Sequence, residues 1–87
     1  MPIQYIEGTM KEGKGPFAIV VAKFNQSITE RLLEGAIETL TAAGIPEDDI
    51  TVIRAPGAFE LPTIAAYLVD TMKYRAIICL GAVIRGE

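Results

Sequence analysis

Histidine and tryptophan are both absent from this chain of 87 residues, and cysteine occurs once. Without histidine the chain lacks the side chain that titrates nearest neutral pH and the commonest metal ligand. With a single cysteine as well, zinc sites and Ser/His/Asp or Cys/His triads are excluded, and so is an intrachain disulfide. That cysteine, Cys79, falls inside the apolar run Ala76 to Leu80 and is expected in the core of a reduced, cytoplasmic protein. Positive charge is also scarce: 8 Lys and Arg face 11 Asp and Glu, for a formal net charge of −3. No basic cluster stands out, so no nucleic-acid partner is expected. No stretch approaches the roughly 18 to 20 apolar residues of a membrane span, and Met1-Pro2-Ile3-Gln4-Tyr5 lacks the basic start and apolar run of a secretory signal. No membrane partner is expected either.

What is present is apolar. Hydrophobic residues make up 51% of the chain, which excludes disorder and is high for one small domain spanning residues 1–87. Part of the core is therefore expected to belong to an interface or to further chain. "FAIVVA", 17 to 22, follows the turn residues Gly13-Lys14-Gly15-Pro16 and reads as a central strand buried on both faces of a parallel sheet. Ser27 with Glu30 reads as a capping box that opens a helix, along which Ile28, Leu32, Leu33, Ala36, Ile37 and Leu40 form one stripe. Glu30, Arg31, Glu34 and Glu38 are expected to face water, and Gly44 to end the helix as a left-handed cap before Pro46.

"DITVIR", 49 to 54, is a second strand. A second helix carries Leu61, Ile64, Ala65, Leu68 and Met72 on one face, with Pro62 tolerated in its first turn. "RAIICLGAVI", 75 to 84, reads as a third strand run, and Ile3-Gln4-Tyr5-Ile6-Glu7 as a short strand at an edge or added to a neighbouring subunit. This strand-helix alternation predicts an α/β fold with a parallel sheet and a helix on each face. The third strand has no helix after it, so the sheet is expected to be part of a larger one.

Ligands of open α/β sheets bind beyond the carboxyl ends of the strands. Three segments qualify: Lys23-Phe24-Asn25, Pro56-Gly57-Ala58-Phe59-Glu60, and residues 81–87. Phe24 either stacks on a flat heterocycle or caps the core or a subunit contact. Glu60 is either a ligand for hydroxyl groups or a first-turn carboxylate that suits the helix dipole. Gly81 and Gly86 form no dinucleotide or triphosphate fingerprint, and Arg85 is either an anion ligand or a solvated or interface charge.

"VVAKFNQSITERLLEGA", "VIRAPGAFELP" and "AIICLGAVIRGE", in this order and spacing, closely resemble the N-terminal half of the lumazine synthase (6,7-dimethyl-8-ribityllumazine synthase) family over essentially the whole chain. The resemblance implies a flavodoxin-like three-layer α/β sandwich, incomplete here. It also implies a homo-oligomer, a pentamer and often an icosahedral capsid, with each active site between subunits. The implied transferase activity belongs to riboflavin biosynthesis: 5-amino-6-(D-ribitylamino)uracil condenses with 3,4-dihydroxy-2-butanone 4-phosphate, without metal or cofactor. By position, Phe24 is the aromatic that stacks on the pyrimidine, and Ala58, Phe59 and Glu60 hold the ribityl chain and ring edge. Ala82, Val83 and Ile84 read the pyrimidine edge, and Gly86 and Glu87 begin the phosphate-binding turn. Lys23 and Ala82 depart from the commoner Arg and Thr. The family histidine lies beyond Glu87, so no catalytic residue is assigned. The alternative expectation is a truncated, non-catalytic module that binds a ribityl or flavin group or serves shell assembly.

Overall fold

A computed structural model of the chain describes residues 15–84. The expected strand at residues 3–7 lies outside them, as do Arg85, Gly86 and Glu87. Three strands, β1 (Phe17–Ala22), β2 (Ile50–Ala55) and β3 (Ala76–Leu80), alternate with two helices, α1 (Gln26–Ala42) and α2 (Leu61–Thr71). All pairings are parallel, and β1 lies in the middle of the order β2-β1-β3. The unbroken apolar run of β1 has this cause: Ala18, Ile19, Val20 and Val21 meet a helix on one face or the other and have no solvent exposure.

Strand periodicity sorts these side chains into two layers. Ile19 and Val21 pack with Leu33, Ala36, Ile37 and Leu40 of α1, joined by Ile50, Ile78 and Leu80. On the opposite face Val20 and Ala55 pack with Leu61, Ile64 and Leu68 of α2, joined by Ile53, Ala58 and Ile77. The result is an α/β/α arrangement consistent with part of a flavodoxin-like sandwich. Fully burying one such aliphatic side chain contributes about 1.5 to 3 kcal/mol.

The helix ends follow their local chemistry only in part. Ser27 is not the N-cap of α1: Asn25 takes that position in a left-handed conformation (φ 57°) and makes no side-chain capping bond. Its carbonyl accepts the N–H groups of Ile28 at 2.9 Å and Thr29 at 3.0 Å. The expected box does not form: the cap position falls on Asn25, and the Glu30 carboxylate pairs with Arg54 of β2 on the face that α1 covers. At the other end the expectation holds. Gly44 has φ 94°, its N–H reaches the Thr41 carbonyl at 3.0 Å, and the Ile45 N–H reaches that of Leu40 at 3.1 Å. Ile45 is buried, which completes a Schellman motif. Gly44→Ala is therefore expected to cost about 1 kcal/mol through left-handed strain. In a thermal melt this lowers Tm by roughly 4 to 8 °C, and an unchanged Tm would contradict the assignment of the cap.

Three other expectations are corrected. Met72 is not on the buried stripe of α2 but is its exposed left-handed C-cap, with φ 57°. Cys79 is exposed rather than core among the described residues, where β3 lies at the edge of the sheet. β3 ends at Leu80, and residues 81–84 leave the sheet without regular structure. Among the described residues no helix is long and apolar enough to cross a membrane.

Candidate functional site

Parallel pairing sends the carboxyl ends of all three strands to one edge of the sheet, where an open cleft of about 290 Å3 forms. Its walls are Phe24, Pro56, Gly57, Ala58, Phe59, Glu60, Ala82, Val83 and Ile84.

Each wall is placed by its own local chemistry. Beyond β1 the Lys23 N–H donates to the Ala55 carbonyl at 2.7 Å and holds the ends of β1 and β2 together. Asn25 then turns the chain into α1, which leaves the Phe24 ring 62% exposed over the cleft. Beyond β2, Pro56 has no N–H to continue the ladder. Gly57 is extended (φ −155°), a conformation open to any residue, so its backbone freedom is not what the position requires. A Cβ built there would meet Glu60 Oε1 at 3.3 Å, so glycine leaves room for that carboxylate. Ala58–Glu60 form a single 3-10 turn leading straight into α2, with the Glu60 N–H donating to the Gly57 carbonyl at 3.3 Å. Phe59 is 91% exposed and contributes to neither core layer.

The third wall depends on a close approach. A Cβ on Gly81 would lie 2.9 Å from Leu61 Cδ1 and 3.4 Å from Ala58 Cβ, so a larger residue there would have to displace the Leu61 side chain where the end of β3 closes against the entrance of α2. Ala82, Val83 and Ile84 follow, with Val83 83% exposed at the rim.

Among the described residues one ion pair forms, Glu30 with Arg54, behind the Phe24 wall. Hydrogen bonding to the Arg54 guanidinium holds the Glu30 carboxyl below its ordinary value of 4.5 and raises Arg54 in turn. A carboxylate depressed in the folded state stabilises it above the unfolded-state value, and that contribution is lost as pH falls through the folded-state value, here below about 4.5. The Asn25 Nδ2 is buried without a hydrogen-bond partner among the described residues. Among the same residues no cluster of His, Cys, Asp or Glu is arranged to hold a metal ion.

An aromatic face, an apolar rim, strand-end backbone groups and one carboxylate suit a flat, partly polar molecule. The family model for 6,7-dimethyl-8-ribityllumazine synthase matches residues 14–87. The chain belongs to the lumazine synthase family. A 6,7-dimethyl-8-ribityllumazine synthase from Desulfotalea psychrophila is 51% identical over 82 residues, covering 94% of this chain and 53% of the relative. The chain thus spans about half the length of the curated relative it matches.

The three segments that carry the likeness to lumazine synthases are the three that meet at the cleft. Phe24, Ala58, Phe59, Glu60, Ala82, Val83 and Ile84 all line it, whereas Gly86 and Glu87 lie outside the described residues, with Arg85. Pro56 and Gly57, which belong to the second of the three candidate segments, also line it. The Glu30–Arg54 link was not foreseen. Its signal was an acid near the start of one helix and a base at the end of the neighbouring strand, which becomes readable once those strands are known to pair.

Proposed function

We propose that this chain carries the pyrimidine- and ribityl-binding part of a 6,7-dimethyl-8-ribityllumazine synthase, a transferase of riboflavin biosynthesis. In this reading the whole enzyme condenses 5-amino-6-(D-ribitylamino)uracil with 3,4-dihydroxy-2-butanone 4-phosphate. The observation that carries the proposal is the convergence of Phe24, Ala58–Glu60 and Ala82–Ile84 on one cleft in a chain of this family. Phe24 stacks on the ring, Glu60 accepts ribityl hydroxyls, and the strand-end backbone at residues 82–84 reads the ring edge. Gly86 and Glu87 open the phosphate-binding turn.

With no histidine among its 87 residues, this chain's own part is binding and orientation, and the proton transfers belong to the remaining half of the site. Holding two reactants in register contributes up to roughly 7 to 11 kcal/mol to such condensations. The exposed rim formed by Phe59, Val83 and Ile84 supports a site completed by a neighbouring subunit in a cytoplasmic homo-oligomer, a pentamer or an icosahedral capsid built from pentamers. The family match favours this reading over the non-catalytic module.

Calorimetric titration of the chain with 5-amino-6-(D-ribitylamino)uracil tests it. Saturable one-site binding is expected, weakened in Glu60→Ala by the loss of a charge-assisted hydrogen bond of about 1.5 to 3 kcal/mol, or roughly 10- to 150-fold. No saturable binding by folded chain would defeat the proposal.

A further inference from the structure

The walls bearing Phe24 and Pro56–Glu60 are joined by two links. The first is the 2.7 Å hydrogen bond from the Lys23 N–H to the Ala55 carbonyl, a continuation of the sheet ladder. One such bond fixes the place where the β1 end meets the β2 end, and the buried Thr29 seats the first turn of α1 against the sheet. The second link is ionic. Arg54, the penultimate residue of β2, lies on the face that carries Val21, its register partner, and reaches Glu30 near the start of α1. Arg54 lies two residues before Pro56, and Glu30 follows Phe24 by less than two helical turns. Two points of attachment define an orientation where one does not.

The turn after Phe24 is held by backbone bonds to the Asn25 carbonyl and not by a side-chain cap. Asn25 makes no side-chain cap, sits in the left-handed region at φ 57°, and buries an amide nitrogen without a partner among the described residues.

We propose that Glu30 and Arg54 are positioning residues that set the separation of the Phe24 wall from the Pro56–Glu60 wall. The inference rests on the site reading above for its effect on ligand, but not for its effect on the loops. Both side chains are partly exposed, at 34% and 40%, so their pair adds little to global stability and its influence is local.

Hydrogen exchange and ligand titration on the 87-residue chain, compared with Glu30→Gln, Arg54→Gln and the charge-swapped Glu30→Arg/Arg54→Glu, test this. In each single variant the amides of residues 24–28 and 57–60 are expected to exchange several-fold faster, while those of residues 19–21 in β1 and Tm stay unchanged. The affinity for 5-amino-6-(D-ribitylamino)uracil is expected to fall about three- to fivefold. The charge swap should restore much of both effects, which a merely steric role of either side chain would not allow. Unchanged loop exchange, or equal acceleration in β1, would overturn the proposal. If the wild-type chain failed to bind the uracil while the loop pattern held, the site reading would fall and the positioning role would stand.

Discussion

Phe24→Ala is expected to weaken binding of the ribitylaminouracil by roughly 5- to 150-fold while leaving Tm almost unchanged. The magnitude follows from aromatic stacking on a heterocyclic base, worth about 1 to 3 kcal/mol by alanine substitution. The selectivity follows from placement. Phe24 is exposed, belongs to neither core layer, and stands where β1 has ended and α1 has not begun. Removing its ring takes a wall from the cleft without opening a cavity in the core, and surface changes of that kind stay within about 0.5 kcal/mol. Phe24→Tyr, which keeps the stacking face, should bind close to wild type. Titration and a thermal melt on the same preparations decide the matter. Unchanged affinity in Phe24→Ala would assign the ring to a subunit contact, and a large fall in Tm would assign it to the core.

Leu61→Ala is expected to have the opposite signature, with a large loss of stability. Leu61 is the first residue of α2, 8% exposed, and packs with Val20 and Ala55 in the layer between α2 and the sheet. Truncating a buried leucine costs about 2 to 5 kcal/mol once the residual cavity is included. A domain of this length has roughly 4 to 13 kcal/mol in total, at 0.05 to 0.15 kcal/mol per residue. The substitution should therefore lower Tm by roughly 10 °C or more. It also removes the side chain against which Gly81 closes, so the third wall of the cleft loosens before the domain unfolds. Urea titration gives the free energy directly. A loss below about 1 kcal/mol would mean that the α2 layer relaxes around the gap, and that the close approach at Gly81 does not depend on Leu61.

Much of this molecule was legible in its order of residues because the signals concerned are local. A run with no polar residue between Phe17 and Ala22 has to be buried on both faces, and it became the middle strand. Leu33, Ala36, Ile37 and Leu40 recur at helical spacing and face the sheet, whereas Ile28 and Leu32 of the same expected stripe are exposed, and Gly44 stops that helix in the left-handed region. The candidate walls were legible for a related reason. Parallel strands carry their following loops to one edge, so segments distant in sequence had to meet once the alternation was recognised.

What the sequence determined, then, was element type and strand direction, set by periodicity and turn chemistry within a few residues, and with them the three segments that meet at one edge; the individual wall residues came from the family resemblance. Tertiary structure alone decided the rest. Cys79 and Met72 are apolar in character yet exposed, because burial depends on which element covers a face: β3 lies at an edge, and Met72 falls just past the last turn of α2. Glu30 left its expected role at the helix start for Arg54, since a charge takes the nearest opposite charge in space, and that neighbour exists only once β2 lies beside β1. The close neighbour of Gly81 is a leucine side chain that only the fold brings against it. These are contacts between elements, and no periodicity along a single chain encodes them.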